Sequence, residues 1–513
     1  MVDWLKKAVF YEIYPQTFCD SNDDGIGDIE GIISKLDYIK DLGANALWIN
    51  PCYDSPFKDA GYDVRDYKKV ASRYGTNEDL ERLFETAHEK GIKVLLDLVP
   101  GHTSEEHSWF VQSSKAEQNE YSGRYIWTNS WYEGIEGRPY IGGECERDGT
   151  YMLNFFKCQP ALNYGFLKPE KTWQKGIDDP DCLKTREAIK DIICFWLSKG
   201  CDGFRVDMAD SLVKNDDDNK SGTCAVWRDI LGYVRTDYPE AAFVAEWNNT
   251  DQALVNAGFD MDFFLNWTGN GYNSLLRDYE TPGDDCSYFK ADKGGDITRF
   301  LDEYLPRWEK AKGKGSISLL SCNHDTPRPR KNLTIPELKV AYATLFTLPG
   351  VPFIYYGDEI GMRYLDLPTK EGGYTRTGSR TPMQWDSGIN MGFSKAAKEM
   401  LYLPTDDAED APTVEAAMAD EDSIYHVVKD LFALRKTQED FDADSDFSVI
   451  IGEKDKPFVY TRKDAICAVN PVNSEKSVKV KELAGKNLIY VIGSVTVDGD
   501  SLKMGKGSFA ILK

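Results

Sequence analysis

Short apolar runs alternate with amphipathic stretches through roughly the first 360 of the chain's 513 residues. The runs are Ala8-Val9-Phe10-Tyr11, Ala46-Leu47-Trp48-Ile49, Val94-Leu95-Leu96, Gly203-Phe204-Arg205-Val206, Phe243-Val244-Ala245, Ile317-Ser318-Leu319-Leu320 and Pro352-Phe353-Ile354-Tyr355, with Phe263-Phe264-Leu265 as a weaker eighth. Each is short enough for a buried strand, and polar residues and then a helical period follow. Strands alternating with helices predict a parallel sheet in the α/β class. Eight such units close a (β/α)8, or TIM, barrel. The longest uncharged apolar stretch, residues 340–357, contains Pro349, Gly350 and Pro352, which split it into a buried helix and a buried strand rather than a membrane span.

Two regions break the rhythm. Residues 103–167 are rich in Trp, Tyr and Gly and lack helical period, so they read as an inserted domain after the third strand. The last 75 or so residues read as short strands separated by turns, among them Phe447-Ser448-Val449-Ile450-Ile451, Phe458-Val459-Tyr460, Ile466-Cys467-Ala468-Val469, Leu488-Ile489-Tyr490-Val491-Ile492 and Phe509-Ala510-Ile511-Leu512. They predict a C-terminal antiparallel β-sandwich. The expected division is a barrel from residues 1–102 and 168–438, an inserted domain at 103–167 and a sandwich at 439–513. The stretch 423–436 is the expected last barrel helix. Of two acidic loops, 214–222 and 404–412, the first follows the fourth barrel strand closely enough to border its mouth.

Most of the barrel runs lead into something polar: Asn50, Asp97 and His102, Asp207, Glu246, Asp325 and Asp358. Active sites of such barrels lie at the C-terminal ends of the strands, and carboxylates gathered at one face repel one another unless function holds them there. Cleaving a glycosidic bond needs two carboxyl groups, one ionised to attack and one protonated to donate. Asp207 and Glu246 end successive strands and can converge. Arg205, two residues before Asp207, shares its face and favours its ionised form. An ordinary ion pair inside the barrel is the alternative for Arg205 and Asp207 taken alone. Glu246 lies between apolar residues and Trp247, a setting that raises an acid's pKa. Two of the chain's five histidines, His102 and His324, sit at strand ends, where neutral imidazoles can donate to sugar hydroxyls.

Composition narrows the partners. A net charge of −24 repels phosphate backbones and anionic lipid, so neither nucleic acid nor a membrane surface is expected, whereas a neutral sugar is not repelled. Eleven cysteines, an odd number without CxxC pairs, suit a reducing compartment. The first residues lack a signal-peptide layout, and the expected location is cytoplasmic. The oligomeric state is left open.

Four segments in order make the chain recognisable: Asp97-Leu98-Val99-Pro100-Gly101-His102, Gly203-Phe204-Arg205-Val206-Asp207, Val244-Ala245-Glu246-Trp247 and Asn323-His324-Asp325. With them stand the 20–28 loop, Gly61-Tyr62-Asp63-Val64, Gln159-Pro160-Ala161-Leu162-Asn163 and Arg380-Thr381-Pro382-Met383-Gln384-Trp385. The chain resembles glycoside hydrolase family 13, the α-amylase family, in its oligo-1,6-glucosidase and α-glucosidase branch, over nearly its whole length.

The resemblance implies Asp207 as nucleophile, Glu246 as acid/base and Asp325 as the third carboxylate, which binds the sugar's 2- and 3-hydroxyls. It implies His102, His324 and Arg205 around the reacting sugar and Tyr62 as its aromatic platform. It also implies Asp59 with Arg380 as a pair gripping the terminal 4-hydroxyl. A divalent ion, calcium, is implied at the 20–28 loop through Asp20, Asn22, Asp24, the Ile26 carbonyl and Asp28; Gly31 stands where an isolated EF-hand would need its glutamate. Gly101 and Ala161 replace an Asn and an Asp usual in the family, so the calcium of the amylases beside the inserted domain is not expected. Met208, after the nucleophile, is neither the Val that goes with 1,6 linkages nor the Thr or Ala that goes with 1,4. The expected activity is exo-acting hydrolysis of short malto- or isomalto-oligosaccharides. An endo-acting amylase or maltodextrin hydrolase, a transglycosylating relative such as a sucrose isomerase or trehalose synthase, and a non-catalytic binding subunit are the alternatives.

Overall fold

The computed structural model describes residues 1–134, 137–265, 267, 269–277, 285–372 and 376–513. Eight parallel strands form the central sheet: β1 Phe10–Ile13, β2 Ala46–Ile49, β3 Lys93–Leu98, β4 Gly203–Val206, β5 Ala242–Ala245, β6 Met261–Phe263, β7 Ser316–Ser318 and β8 Phe353–Tyr355. Consecutive strands are neighbours, and β8 also pairs with β1, Phe10 opposite Phe353. The ring closes just past β7, where Phe353 N–H donates to the Leu319 carbonyl at 2.9 Å and Leu320 bridges to Phe353. The sheet is therefore the expected barrel. The expected first and eighth runs lie two residues N- and C-terminal of the observed β1 and β6.

Alternation along each strand sorts side chains between two cores. Phe10, Trp48, Leu95, Val244, Met261, Phe263 and Phe353 fill the barrel interior. Tyr11, Leu47, Val94, Leu96, Phe204, Phe243 and Ile354 face the helices. The next inward positions above the apolar floor are Glu12, Asn50, Asp97, Arg205 and Glu246, so the interior turns polar towards the strands' C-terminal ends. Gly203 lets β4 approach β5: a Cβ there would lie 1.9 Å from the Ala242 carbonyl oxygen.

Helices follow every strand, including Asn77–Glu89 after β2, opened by a Thr76/Asp79 capping box, and Pro180–Ser198 after β3, whose N-cap Asp179 accepts the Asp181 N–H. The apolar stretch 340–357 divides as expected, into the end of the helix Ile335–Thr347 and β8. Ile424–Thr437 is the helix after β8.

Between β3 and Pro180–Ser198 the insertion holds a short helix, Ser108–Ser113, and a two-stranded hairpin, Tyr140–Gly142 with Thr150–Met152. At the C-terminus a five-stranded and a three-stranded antiparallel sheet face each other. Val459, Ile466, Ala468 and Leu512 of the first pack on Leu502, Met504 and Val480 of the other sheet and its edge, which makes the sandwich. The strands Lys476–Lys479, Val495–Asp498 and Ser501–Met504 lack a continuous apolar run and are not evident from sequence.

Candidate active site

A cavity of about 210 Å³ opens at the C-terminal ends of the barrel strands, lined by Asp59, Tyr62, His102, Phe155, Gln159, Asp207, Met208, Glu246, Asp325 and Arg376. The backbone carries Asp207 and Glu246 there by extending the ladder one residue beyond β4 and β5: Asp207 N–H donates to Leu98 O at 2.8 Å and Glu246 N–H to Val206 O at 3.0 Å.

Arg205 organises the floor. One Nη1 contacts Asp97 at 2.9 Å and Asp207 at 3.0 Å, while Nη2 lies 2.7 Å from Glu246. From sequence Arg205 is expected to favour Asp207 alone; the guanidinium instead clasps both carboxyls. Burial raises the Asp207 pKa well above the carboxylate range; Arg205 opposes this, and Glu246, Asp97 and Asp325 add to it. Burial also raises Glu246, against Arg205 and the Met208 N–H. Two buried carboxyls on one cation titrate as a coupled pair. Met208 sits in the left-handed region at φ 42° and donates its N–H to Glu246 Oε2 at 2.9 Å. Such strain in a non-glycine residue costs about 1–3 kcal/mol, and here it aims a donor at the acid.

Across the cavity Asp325 meets three cations. Its Oδ1 contacts Arg376 at 3.0 Å and Arg380 at 2.9 Å, and its Oδ2 lies 3.1 Å from His324 Nε2. Burial works against its charge, but His324, Arg376 and Arg380 outweigh that and hold its pKa well below the usual range. Tyr62 stacks on His324, ring centroids 5.3 Å apart, and donates to Asp97 Oδ2 at 2.9 Å.

The two histidines differ. His102 is neutral, as expected: burial lowers its pKa to about 4, its Nε2 lies 3.1 Å from the Tyr62 carbonyl, and Nδ1 takes the Asn154 amide at 3.0 Å. His324 departs from expectation. Burial alone would lower its pKa, yet Asp325 and Glu12 raise it to about 9, which favours the imidazolium.

A second correction concerns the pair around the far wall. Asp59 is expected to pair with Arg380, but its Oδ1 meets Arg376 Nη2 at 2.9 Å and its Oδ2 accepts from Gln159 at 2.7 Å. Arg380 is fully buried behind the wall, on Glu371 at 2.7 Å and the His324 carbonyl at 2.8 Å. Arg376, four residues before Arg380, is not evident from sequence because it lies outside the Arg380–Trp385 segment. Gln159 and Phe155 come from the insertion, and Asn154 occupies the space beside Gly101, where a Cβ would lie 2.7 Å from its amide nitrogen. The insertion's other aromatics stand elsewhere: Trp127 is buried among Phe110 and Tyr151, while Trp131 and Tyr132 are exposed away from this cavity. No residue of the 214–222 loop lines the cavity.

The expected ion loop is a ladder of side-chain turns. Asp20 Oδ1 accepts the Asn22 N–H at 3.1 Å, Asn22 Oδ1 the Asp24 N–H at 3.0 Å and Asp24 Oδ1 the Ile26 N–H at 2.9 Å. Asp28 caps the helix Ile29–Ser34 by accepting the Gly31 N–H. Among the described residues no three His, Cys, Asp or Glu side chains are grouped to hold a metal. A cation here would therefore need the Asn22 oxygen and the Ile26 carbonyl beside the carboxylates. All five groups offer oxygen, the donor that calcium takes.

A (β/α)8 barrel with four acidic side chains around a small cavity at its C-terminal face, two of them clasped by a buried arginine below, is arranged as a glycosidase. The alpha-amylase catalytic domain matches residues 12–444, and the chain belongs to that family. It is 33% identical over 524 aligned positions to an oligo-1,6-glucosidase of Heyndrickxia coagulans, covering 90% of each chain. It is 31% identical to a glucan 1,6-alpha-glucosidase of Streptococcus dysgalactiae subsp. equisimilis, covering 95% of this chain and 94% of that one. Among solved structures, trehalulose synthase MutB from Pseudomonas mesoacidophila MX-45 superposes with a TM-score of 0.81 at 23% identity over the whole of both chains. An isomaltulose synthase from Erwinia rhapontici NX5, in complex with D-glucose, does so at 0.80 and 24%, covering 100% of this chain and 99% of that one. The protein is a glycoside hydrolase acting on α-glucosides. No described helix is long and apolar enough to cross a membrane.

Proposed function

We propose that this enzyme releases glucose from the non-reducing ends of short α-glucans, with retention of configuration. Asp207 attacks the anomeric carbon while Glu246 protonates the departing glycosidic oxygen. The resulting glucosyl ester on Asp207 is then broken by water, whose proton returns to Glu246. Asp325, held ionised by three cations, accepts hydrogen bonds from the sugar's ring hydroxyls and strengthens them as positive charge grows on the ring. The clasp of Asp207 and Glu246 by one guanidinium carries this reading. It suits the spacing of about 5–5.5 Å of a retaining pair better than the about 6.5–9.5 Å that an inverting enzyme leaves for water. A cavity of about 210 Å³ is below the ~300–1,000 Å³ of ordinary ligand sites and suits one sugar ring.

The relatives' names favour α-1,6 linkages, and the names of the solved neighbours favour a second reading in which a sugar hydroxyl, rather than water, accepts the glucosyl group. Chromatography of products from isomaltose, panose, maltose and sucrose separates them. Glucose from isomaltose and panose, at rates at least about tenfold above maltose, is the expected result. Isomerised disaccharide from sucrose as the main product would instead establish transfer. The eleven cysteines, an odd number without CxxC pairs, support a reducing, cytoplasmic setting.

Calcium is proposed at Asp20, Asn22, Asp24, Asp28 and the Ile26 carbonyl. The ion would tie the loop between β1 and its helix to the segment at Ser394, whose hydroxyl already donates to Asp20 Oδ2 at 2.6 Å. Chelation should lower the melting temperature by several degrees and added calcium restore it, an effect of about 1–3 kcal/mol by mass action. A melting temperature indifferent to both treatments would remove calcium from this reading.

A further inference from the structure

We propose that Glu12 is a positioning residue of the reaction: from inside the barrel wall it fixes the charge and orientation of His324, and through His324 those of Asp325. The proposal rests on the reading of Asp325 as the carboxylate that binds the reacting sugar.

Glu12 is the third residue of β1, and alternation turns it inward with Phe10, away from Tyr11. It has no exposure to solvent. Its Oε1 lies 2.8 Å from His324 Nδ1, 3.4 Å from the His324 backbone nitrogen and 3.3 Å from Asn50 Nδ2. Its Oε2 has no hydrogen-bond partner among the described residues. A carboxylate in a barrel core is destabilising unless a cation offsets it, and a glutamine or an aliphatic side chain would fill the place with less strain. The charge therefore calls for an explanation, and His324 supplies it.

Hydrogen-bond direction fixes the state of the imidazole. Nδ1 faces Glu12 Oε1, an acceptor. Asn50 Nδ2 also lies 3.0 Å from Nδ1, and two donors in contact share Glu12 as their acceptor. Nε2 lies 3.1 Å from Asp325 Oδ2 and 2.7 Å from the Tyr62 hydroxyl. That hydroxyl directs its own proton to Asp97, so it too accepts from Nε2. With Glu12 and Asp325 on opposite sides, the protonated ring donates from both nitrogens and satisfies both carboxylates. The remaining charges near the ring act on either side of it. Arg205 holds Asp97 below Tyr62, and Arg380 donates to the His324 carbonyl and grips Asp325 from behind. The pKa of about 9 for His324 agrees, while burial raises Glu12 and His324 and Arg205 offset this only in part.

The sign follows. Glu12 stabilises the protonated ring, so its neutralisation lowers the His324 pKa. Above that lower pKa Asp325 and Glu246 both lose the positive charge of the ring beside them. The loss is confined to alkaline pH; in acid, where His324 is protonated without help, catalysis persists.

Nitrogen-15 spectra of the full-length protein labelled at histidine, which has only five such residues, test the charge directly. His324 should remain protonated at pH 8 in the wild type and titrate at a pH at least about one unit lower in Glu12→Gln. The alkaline limb of kcat/KM on an aryl α-glucoside should move down with it. At pH values above both limbs, kcat/KM should fall about tenfold for every pH unit by which the limb moves, with values at pH 5.5 within about threefold of wild type. Glu12→Asp, which keeps the charge, should recover most of the limb. A neutral His324 at pH 7 in the wild type overturns the proposal, whether or not the variants fold. So does a Glu12→Gln enzyme with uniformly lower activity and an unmoved limb, the mark of a merely structural role. The titration does not depend on which carboxylate attacks, so a failure of the reaction scheme would show separately, in the Asp207 variant.

Discussion

Asp207→Asn should lower kcat by about 10⁴-fold or more without lowering the melting temperature. The amide is a poor nucleophile, and Glu246, the other carboxyl on Arg205, is engaged as the proton donor. Stability should hold because the native carboxyl is crowded: burial, Glu246, Asp97 and Asp325 all oppose its charge, and Asn removes that repulsion while keeping an oxygen for Arg205. Function strains such sites, and relieving the strain commonly stabilises by about 0.5–2 kcal/mol. Glu246→Gln separates the two roles. On isomaltose, whose leaving alkoxide needs a proton, it should be as damaging as Asp207→Asn. On an aryl glucoside with an acidic phenol, which departs unaided, the first step should survive and a glucosyl-enzyme accumulate, seen by mass spectrometry as one added glucosyl unit. A folded Asp207→Asn enzyme with near-normal turnover would refute the nucleophile. Equal losses of Glu246→Gln on both substrates would refute the acid.

The barrel is legible in the sequence because a buried parallel strand leaves a compact signature, an apolar run bounded by turn residues, and because seven of the runs are strong. The eighth, around Phe263, is weak for a physical reason: β6 carries Asp262 in its centre, a buried carboxyl that burial pushes up to about 8 and that accepts the Asn248 N–H at 3.1 Å. A carboxyl inside a three-residue strand hides it. The sandwich's smaller sheet is hidden for a related reason, since Lys476–Lys479 and Ser501–Met504 expose every second residue and look like loop.

At the site, residues that end strands are legible from the apolar runs, whereas those that reach in from loops are expected only where the family resemblance names them, as it does Asp59, Tyr62 and Asp325. Asp207 and Glu246 follow apolar runs directly, His102 comes a few residues after its run, and all three line the cavity. Arg376 lies in the long connection after β8, where no period or run fixes its direction, and only the fold shows that it, not Arg380, reaches Asp59. Glu12 is visible in principle as a charge at an inward position two residues beyond Phe10. The apolar run Ala8–Tyr11 stops just short of it, because hydrophobicity marks where the run begins and not how far the strand continues. The protonation of His324 lies beyond any reading of residue order, because it depends on Glu12 and Asp325 meeting the ring from opposite sides.

Removing the Asp59–Arg376 pair should open the far wall and change what the enzyme releases. Both side chains line the cavity and are largely buried, Asp59 at 3% exposure, and their contact at 2.9 Å is charge-assisted on both sides. Arg376 also bonds Asp325 at 3.0 Å, so the wall is braced to the carboxylate that binds the ring. A terminal 4-hydroxyl can hydrogen-bond this pair; a further sugar there would have to break it and leave buried charges unpaired, at a cost of about 3–5 kcal/mol. Wild-type enzyme given maltoheptaose should therefore release glucose first. Asp59→Asn or Arg376→Met alone should each lower kcat/KM on isomaltose about 10–100-fold, because a hydrogen bond to a charged group contributes about 1.5–3 kcal/mol. The double variant should lose less than the two single losses combined, since each partner's charge is costly only while the other is missing. It should also release a measurable share of longer fragments from maltoheptaose. Early mixed fragments with little glucose from the wild type would show that the groove is already open. Additive losses in the cycle would show that the two side chains act independently and that the pair does not close the pocket.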